Sequence, residues 1–344
     1  MRSDHGITPA TGRPGGPPAR CSRLRGALVA LLLLGGLVGP VPEAEAAPTA
    51  CPEHYPGGMA PDIVRPALAA RVREICFEGY AVLHSGISRT ALASAEHLTR
   101  RRIQRARQQP RDDAFHVEDE LPEDERARLA DYARSGFDRG HMAPSGDMPT
   151  ASSQAESFSL ANMVPQSPGS NRCLWEGIES TVREIATDEG EVWVLTGPIF
   201  EGENLRRLNG RLLVPTSLYK AIYVPGRGIA GAYLAPNEPG LEWRAVSLDQ
   251  LRQVAGIDAF PALSPALKSQ AAELPEPRPS NVRGSCDSQP EVASTGPARH
   301  PPAPEPSRPA PEQASPIEGR AGLVLGGVFA VVMVIALVRV LGRR

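Results

Sequence analysis

Lysine is nearly missing from this chain: among 37 basic residues, only Lys220 and Lys268 are lysines. The formal net charge is −2, so there is no global basic surface, and any grip on a polyanion has to come from a local patch. Arginine carries the rest of the positive charge. A genome of biased composition explains that at least as well as a need for planar, bidentate phosphate binding. The chain has no Cys-x-x-Cys pair and no Cys/His spacing of the zinc type, which removes the usual zinc sites from consideration. It also has no helix-turn-helix, zinc-finger or RNA-binding aromatic motif, and so no evident device for reading base sequence.

Both ends of the 344-residue chain are compositionally biased, which places one folded domain at about residues 47–273. Arg20, Arg23 and Arg25 precede an apolar run from Gly26 to Val38, and Ala44-Glu45-Ala46 supplies small residues at a cleavage spacing. Residues 1–46 therefore read as an export signal cut after Ala46, with a mitochondrial presequence or an uncleaved anchor as competing readings. Cleavage would leave Cys51, Cys76, Cys173 and Cys286, an even number suited to disulfides in an oxidising compartment. Of the three pairings, Cys51–Cys76 offers a local bridge. Residues 274–320 are rich in Pro, Ser, Ala and Glu, a spacer too polar to fold. Residues 321–344 hold eighteen apolar residues, Ala321 to Val338, followed by Arg339, Arg343 and Arg344. That pattern predicts a transmembrane helix with a cytoplasmic arginine tail; a sorting tail that is later cleaved would have the same pattern. The expected location is exported, on the periplasmic or extracellular face, anchored by that helix.

Within the middle region, Phe77 to His84 and Arg89 to His97 predict the strands of a hairpin. Thr99 to Arg111 carries arginines at 100, 101, 102, 105, 107 and 111; this is either a solvated helix face or a landing strip for phosphates. Leu121 to Ser135 predicts a helix opened by Pro122, with Glu123, Asp124 and Glu125 in its first turn and Gly136 at its end. A longer helix is predicted over 167–188, where Leu174, Ile178, Val182 and Ile185 recur at helical spacing. Glu191 to Leu195, Leu212 to Val224 and Ile229 to Ala235 predict strands, and Leu248 to Gly256 a short helix. Strands and helices do not alternate regularly, so the fold class is α+β with an antiparallel or mixed sheet.

Two places look built for chemistry. Phe137 to Asp147 packs an acid, a base, a glycine and a histidine together before a proline turn, a composition that suits neither a strand core nor a helix interior. His141 there can act as a general base, because a neutral imidazole accepts a proton near physiological pH. On the long helix, Asn171, Trp175 and Glu179 are spaced by four and share one stripe. Helix capping accounts for Asn171 equally well, with Ser167 and Ser170 competing for that role. Capping does not account for Glu179 two turns on. A hard divalent cation needs only one or two protein oxygens: the Asn171 amide would serve as ligand, and the Glu179 carboxylate would orient the ion's waters.

Asp138-Arg139-Gly140-His141-Met142-Ala143-Pro144, preceded by Ser94-Ala95-Glu96-His97-Leu98, resembles the DNA/RNA non-specific endonuclease family, the ββα-metal (His-Me finger) nucleases that include endonuclease G. Asn162-Met163-Val164-Pro165-Gln166, then Asn171, Trp175 and Glu179, match the same family in order and spacing, as do Thr196-Gly197-Pro198 and Leu213-Val214-Pro215-Thr216. The likeness covers roughly residues 70–265. It implies a ββα-metal core with a central, mainly antiparallel sheet flanked by helices. It also implies His141 as general base, Asn171 as the protein ligand to magnesium, with manganese as an alternative ion, and Glu179 holding the water shell. An upstream arginine, here Arg111, would face the scissile phosphate, with Arg139 supporting the His141 loop beside it. The products would carry 5′-phosphate and 3′-hydroxyl ends.

The expectation is a magnesium-dependent endonuclease acting on DNA, RNA or both with little sequence preference, its activity falling below roughly pH 6 as His141 protonates. Two other readings stay open. One is a phosphodiesterase or nucleotidase acting on small substrates. The other is a membrane-tethered, non-catalytic nucleic-acid-binding module, which would not need a general base. A homodimer and an inhibitor protein also stay open.

Overall fold

Seven strands with alternating apolar residues make the central sheet of the protein, whose computed structural model describes residues 49–270, 272–279 and Cys286. In chain order the strands that matter are β1 (Val72–Cys76), β2 (Ala81–Ser85), β3 (Thr90–Thr99), β4 (Asp138–His141), β5 (Met163–Gln166), β6 (Glu191–Ile199), β7 (Ser217–Val224), β8 (Ile229–Pro236) and β9 (Arg244–Val246). The large sheet runs in the order β9-β8-β7-β6-β3-β2-β1, with every neighbouring pair antiparallel. The fold is therefore α+β with an antiparallel central sheet.

Period-two alternation divides the sheet residues between two cores. On one face Leu98, Val192, Val194, Leu218 and Ile222 pack against Trp175, Ile178 and Val182 of the long helix. On the other, Ala95, Leu195, Tyr219 and Ala221 pack against Leu248, Leu251 and Ala255. The latter three sit on a helix, Leu248–Ala255, opened by a Ser247–Gln250 capping box and closed by Gly256 at φ 73°, a left-handed position that suits glycine.

β4 and β5 form a separate antiparallel pair, with Gly140 opposite Val164 and His141 opposite Met163. Helix α1 (Glu176–Glu189) follows, preceded by a π-helical turn over Ser170–Trp175. Strand, strand, helix is the ββα unit, and it sits over one face of the large sheet.

Three expectations need correcting. Leu121 to Ser135 is not one helix: only Leu129–Tyr132 is helical. Its acidic first turn is spent on tertiary ion pairs instead, because buried Glu125 accepts from Arg71 Nε and Arg73 Nε, each at 2.8 Å. The strand expected over 212–224 is interrupted, and only Ser217–Val224 joins the sheet, since Pro215 has no N–H for the ladder. The 167–188 helix begins as a π turn, so the Asn171–Trp175–Glu179 stripe is not uniform. Trp175 is fully buried in the sheet-facing core.

Both disulfides form: Cys51–Cys76 and Cys173–Cys286. The chain keeps packing past residue 273. Leu274 joins the sheet-facing core, Tyr233 Oη donates to Pro275 O at 2.9 Å, and the backbone at Arg278 lies against Gly177. Among the described residues no helix is long and apolar enough to cross a membrane. The signal read at 1–46 and the helix read at 321–344 lie outside the described residues, as does most of the 274–320 spacer.

Candidate functional site

One cleft of about 700 Å³ opens where β4 meets the start of the long helix, and His141, Asn171, Glu179, Arg111 and Arg139 all line it. The five residues come from three separate parts of the sequence. What joins them is Asp138, the first residue of β4. Its Oδ2 accepts from Asn171 Nδ2 at 3.0 Å and from Arg172 Nε at 2.8 Å, while Oδ1 accepts from Arg172 Nη2 at 2.5 Å. The acid of the Asp138–His141 stretch thus fixes the helix turn that carries Asn171.

Gly140 lets the two strands close. A β-carbon there would lie 2.1 Å from Gln166 Oε1 and 2.5 Å from Gln166 Cβ, so no side chain fits between strand and neighbour. Beyond His141, the side chain of Asn162 holds the loop. Its Oδ1 accepts from Ala143 N at 2.9 Å and Ser94 Oγ at 2.8 Å, and its Nδ2 donates to Ala143 O at 2.8 Å.

His141 sits among aromatic rings, edge-on to Phe158 at 5.0 Å and tilted to Phe115 at 5.6 Å. Its Nε2 is buried and has no protein partner. Burial first, then the positive charge of Arg111 and Arg139, pushes the imidazole pKa down to about 3, against the opposing pull of Asp113. Burial and the neighbouring arginines thus disfavour the imidazolium, a direction that runs against the expected loss of activity below about pH 6 through His141 protonation. The cause is the buried, cationic setting, which no local sequence feature announces.

Arg111 is tied by Nε to Asp113 Oδ1 at 2.6 Å and by Nη1 to Ser145 Oγ at 3.0 Å. Arg139 lies over the Phe115 ring at 4.1 Å, and its buried Nε has no partner. The arginine run divides: Arg101, Arg105 and Arg107 are exposed, while others are tied to neighbouring elements. Arg100 donates to Thr187 O and Asp188 O at the end of the long helix. Arg102 pairs with buried Glu96 at 3.4 Å. Of the run, Arg111 alone lines the cleft.

The wall opposite His141 is charged. Arg183 binds Asp147 at 3.1 Å and Glu176 at 3.0 Å. Burial raises the Glu179 carboxyl to about 7, with Lys220 and then Arg183 restraining the rise. Asp113, Arg172, Glu176 and Arg183 went unrecognised in the sequence. The signal for two of them was present, because Glu176, Glu179 and Arg183 follow the same three- and four-residue steps.

A divalent cation fits this donor set. Asn171 spends its amide N–H on Asp138, which leaves Oδ1 uncommitted at the cleft. An uncharged amide oxygen with a nearby carboxylate is what a hard, hydrated cation takes from a protein. The only cluster of three metal-type side chains among the described residues is Cys51, Glu74 and Cys76, and its cysteines are spent on a disulfide.

Comparison with known proteins points the same way. A family model described as DNA/RNA non-specific endonuclease matches residues 61–266. A nuclease of Nostoc sp. is 36% identical over 154 residues, 40% of this chain and 56% of that protein. Nuclease C1 of Cunninghamella echinulata is 36% identical over 176 residues, 47% of this chain and 70% of that one. The human mitochondrial nuclease EXOG is 30% identical over 210 residues, 55% of this chain and 57% of its own length. The matched region thus spans between about half and 70% of these relatives. A solved structure of an EndoG/EndoGI complex matches 55% of this chain and 86% of that one, at 25% identity and a TM-score of 0.49.

Proposed function

The chain belongs to the DNA/RNA non-specific endonuclease family, and from that membership and the cleft we propose that it hydrolyses phosphodiester bonds of DNA, RNA or both with little sequence preference. The observation that carries the reading is the convergence of His141, Asn171 and Glu179 with Arg111 and Arg139 on one cleft. A substrate held by its phosphates presents the same chemistry at every base step, so such a site needs no base-reading element.

In this reading His141 takes the proton from the attacking water. The buried ring has an uncommitted Nε2, and burial with the neighbouring arginines favours its neutral, proton-accepting form. Arg139 and Arg111 meet the phosphate oxygens, each held in place by an aromatic ring and, for Arg111, by Asp113 and Ser145. Asn171 Oδ1 would hold magnesium, or manganese in its place, and Glu179 would hold its waters. Such an ion, when bound, stabilises negative charge developing on the phosphate and the departing 3′ oxygen. Attack by water at phosphorus with loss of that oxygen leaves 5′-phosphate and 3′-hydroxyl ends.

The two disulfides support export to an oxidising compartment. Retention by residues 321–344 is part of the same proposal, and fractionation with and without that segment tests it. The central test is a cleavage assay on plasmid DNA and on RNA, in magnesium and in chelator, with analysis of the ends. The expected outcome is magnesium-dependent endonucleolytic cuts with 5′-phosphate ends. Intact polymers in magnesium would overturn the reading, and cleavage of dinucleotides or p-nitrophenyl esters alone would favour a small-substrate phosphodiesterase.

A further inference from the structure

Three arginines among the described residues lie on phenylalanine rings: Arg111 on Phe158 at 5.4 Å, Arg139 on Phe115 at 4.1 Å and Arg206 on Phe137 at 4.8 Å. A guanidinium stacked on a ring is held flat, and its N–H edge stays open to a bidentate acceptor such as phosphate. The first two arginines line the cleft, and the third does not. Its ring does: Phe137, Arg139 and His141 are spaced by two, and all three line the cleft. Two residues of extended chain span about 6–7 Å, so the ring under Arg206 lies one nucleotide-sized step from Arg139.

Arg206 is placed by the hairpin that follows it, in which Arg207 and Leu208 pair with Leu213 and Leu212. Leu208 and Leu212 are buried with Tyr132, and Phe137 packs against the same cluster. Val214 N donates to Arg206 O at 2.9 Å, and Asn209 Nδ2 donates to Asp131 O at 2.9 Å. The hairpin's other arginines are committed: Arg207 Nη1 donates to Arg211 O at 2.9 Å, and Arg211 pairs with Asp131 at 3.0 Å. Among the described residues the exposed Arg206 guanidinium has its ring but no hydrogen bond or ion pair, with Glu201 and Glu203 included. In the same cluster Tyr132 lines the cleft, and its buried hydroxyl also lacks a protein partner. This end of the cleft is therefore short of the oxygens that a bound strand would supply.

We propose that Arg206 and Phe137 form a second phosphate subsite, which takes the phosphate next to the scissile one on the same nucleic-acid strand. The ring fixes the guanidinium plane, and the uncommitted charge meets a group common to every nucleotide. Such a contact adds affinity and register without base information. It also makes the site favour polymers, because a dinucleotide has a single phosphodiester and cannot fill both subsites. This rests on the nuclease reading given above.

The test compares full-length wild type, Arg206→Ala and Arg206→Lys on a single-stranded oligonucleotide and on a dinucleoside monophosphate. Steady-state kinetics are measured in magnesium, and oligonucleotide Kd by fluorescence anisotropy in chelator over a range of salt. Arg206→Ala should raise KM and Kd for the oligonucleotide about three- to tenfold, with kcat unchanged. The slope of log Kd against log salt should fall by about 0.7, the value of one phosphate contact on a single strand. Arg206→Lys should keep the slope, and all three proteins should cleave the dinucleotide equally. An unchanged Kd and slope overturn the proposal. So does an equal loss on the dinucleotide, which would make Arg206 a support of the cleft wall. If wild type binds the oligonucleotide but cleaves nothing, the nuclease reading fails, while Kd and slope still decide the subsite. Wild type that binds no oligonucleotide overturns both.

Discussion

Asn171 donates its side-chain N–H to Asp138 at 3.0 Å, and that bond ties the strand ending in His141 to the helix presenting the amide oxygen. One carboxylate thus joins the two sides of the cleft. Asp138 also accepts from Nε and Nη2 of Arg172, so the turn around Asn171 is held through two neighbouring residues. Asp138→Ala should leave His141 in place and release the Asn171 amide. The expected effect is a need for about 10- to 100-fold more magnesium for half-maximal activity, the usual cost of losing a group that orients a metal ligand. A magnesium titration of cleavage rate checks it, and an unchanged midpoint contradicts it.

Gly140→Ala should damage both stability and activity. The added β-carbon would lie 2.1 Å from Gln166 Oε1, and buried Gln166 cannot easily retreat. Overpacking of this kind costs about 1–3 kcal/mol. Urea denaturation measures the loss, and a variant as stable as wild type would show that the strand pair opens freely.

The acid limb of the pH–rate profile should belong to Glu179. Its carboxyl is raised to about 7 and must be ionised to hold a hydrated cation, so activity falls as pH drops through that value. Burial and the neighbouring arginines move His141 in the opposite direction, down to about 3. Because the cation binds the ionised form, more magnesium should shift the limb to lower pH. Profiles at low and high magnesium test this. A limb that ignores magnesium and persists unchanged in Glu179→Gln contradicts it.

Cys286→Ser should loosen the long helix at its start. The Cys173–Cys286 bridge spans a sequence separation of 113 residues and anchors the π turn two residues after Asn171. Loss of such a cross-link typically costs about 2–5 kcal/mol. Unfolding with and without reductant, in wild type and variant, measures it. Reductant should lower wild-type stability by more than it lowers that of the variant.

Much of this was legible in the sequence, for physical reasons that differ by residue. Leu174, Ile178 and Val182 announced a buried helix face because helical period is a local property. The strands carrying Leu195 and Ile222 announced themselves in the same way. His141 stood out because Asp, Arg, Gly and His together suit no regular element, and Asn171 with Glu179 stood out through spacing. The tertiary pairings were not legible. Nothing near Glu125 shows that Arg71 and Arg73 will claim it and end a helix. Nothing near Asp138 shows that it will reach across to Asn171. The low pKa of His141 likewise depends first on burial and then on Arg111, thirty residues away along the chain.

The most direct measurement is the single-turnover cleavage rate of plasmid DNA and RNA by wild type and His141→Ala, in saturating magnesium at pH 8. Loss of a general base should slow both substrates by about 10²–10⁴-fold while Mn²⁺ binding, which the proposal assigns to Asn171 and Glu179, is retained. A His141→Ala protein that cleaves at the wild-type rate would contradict the account.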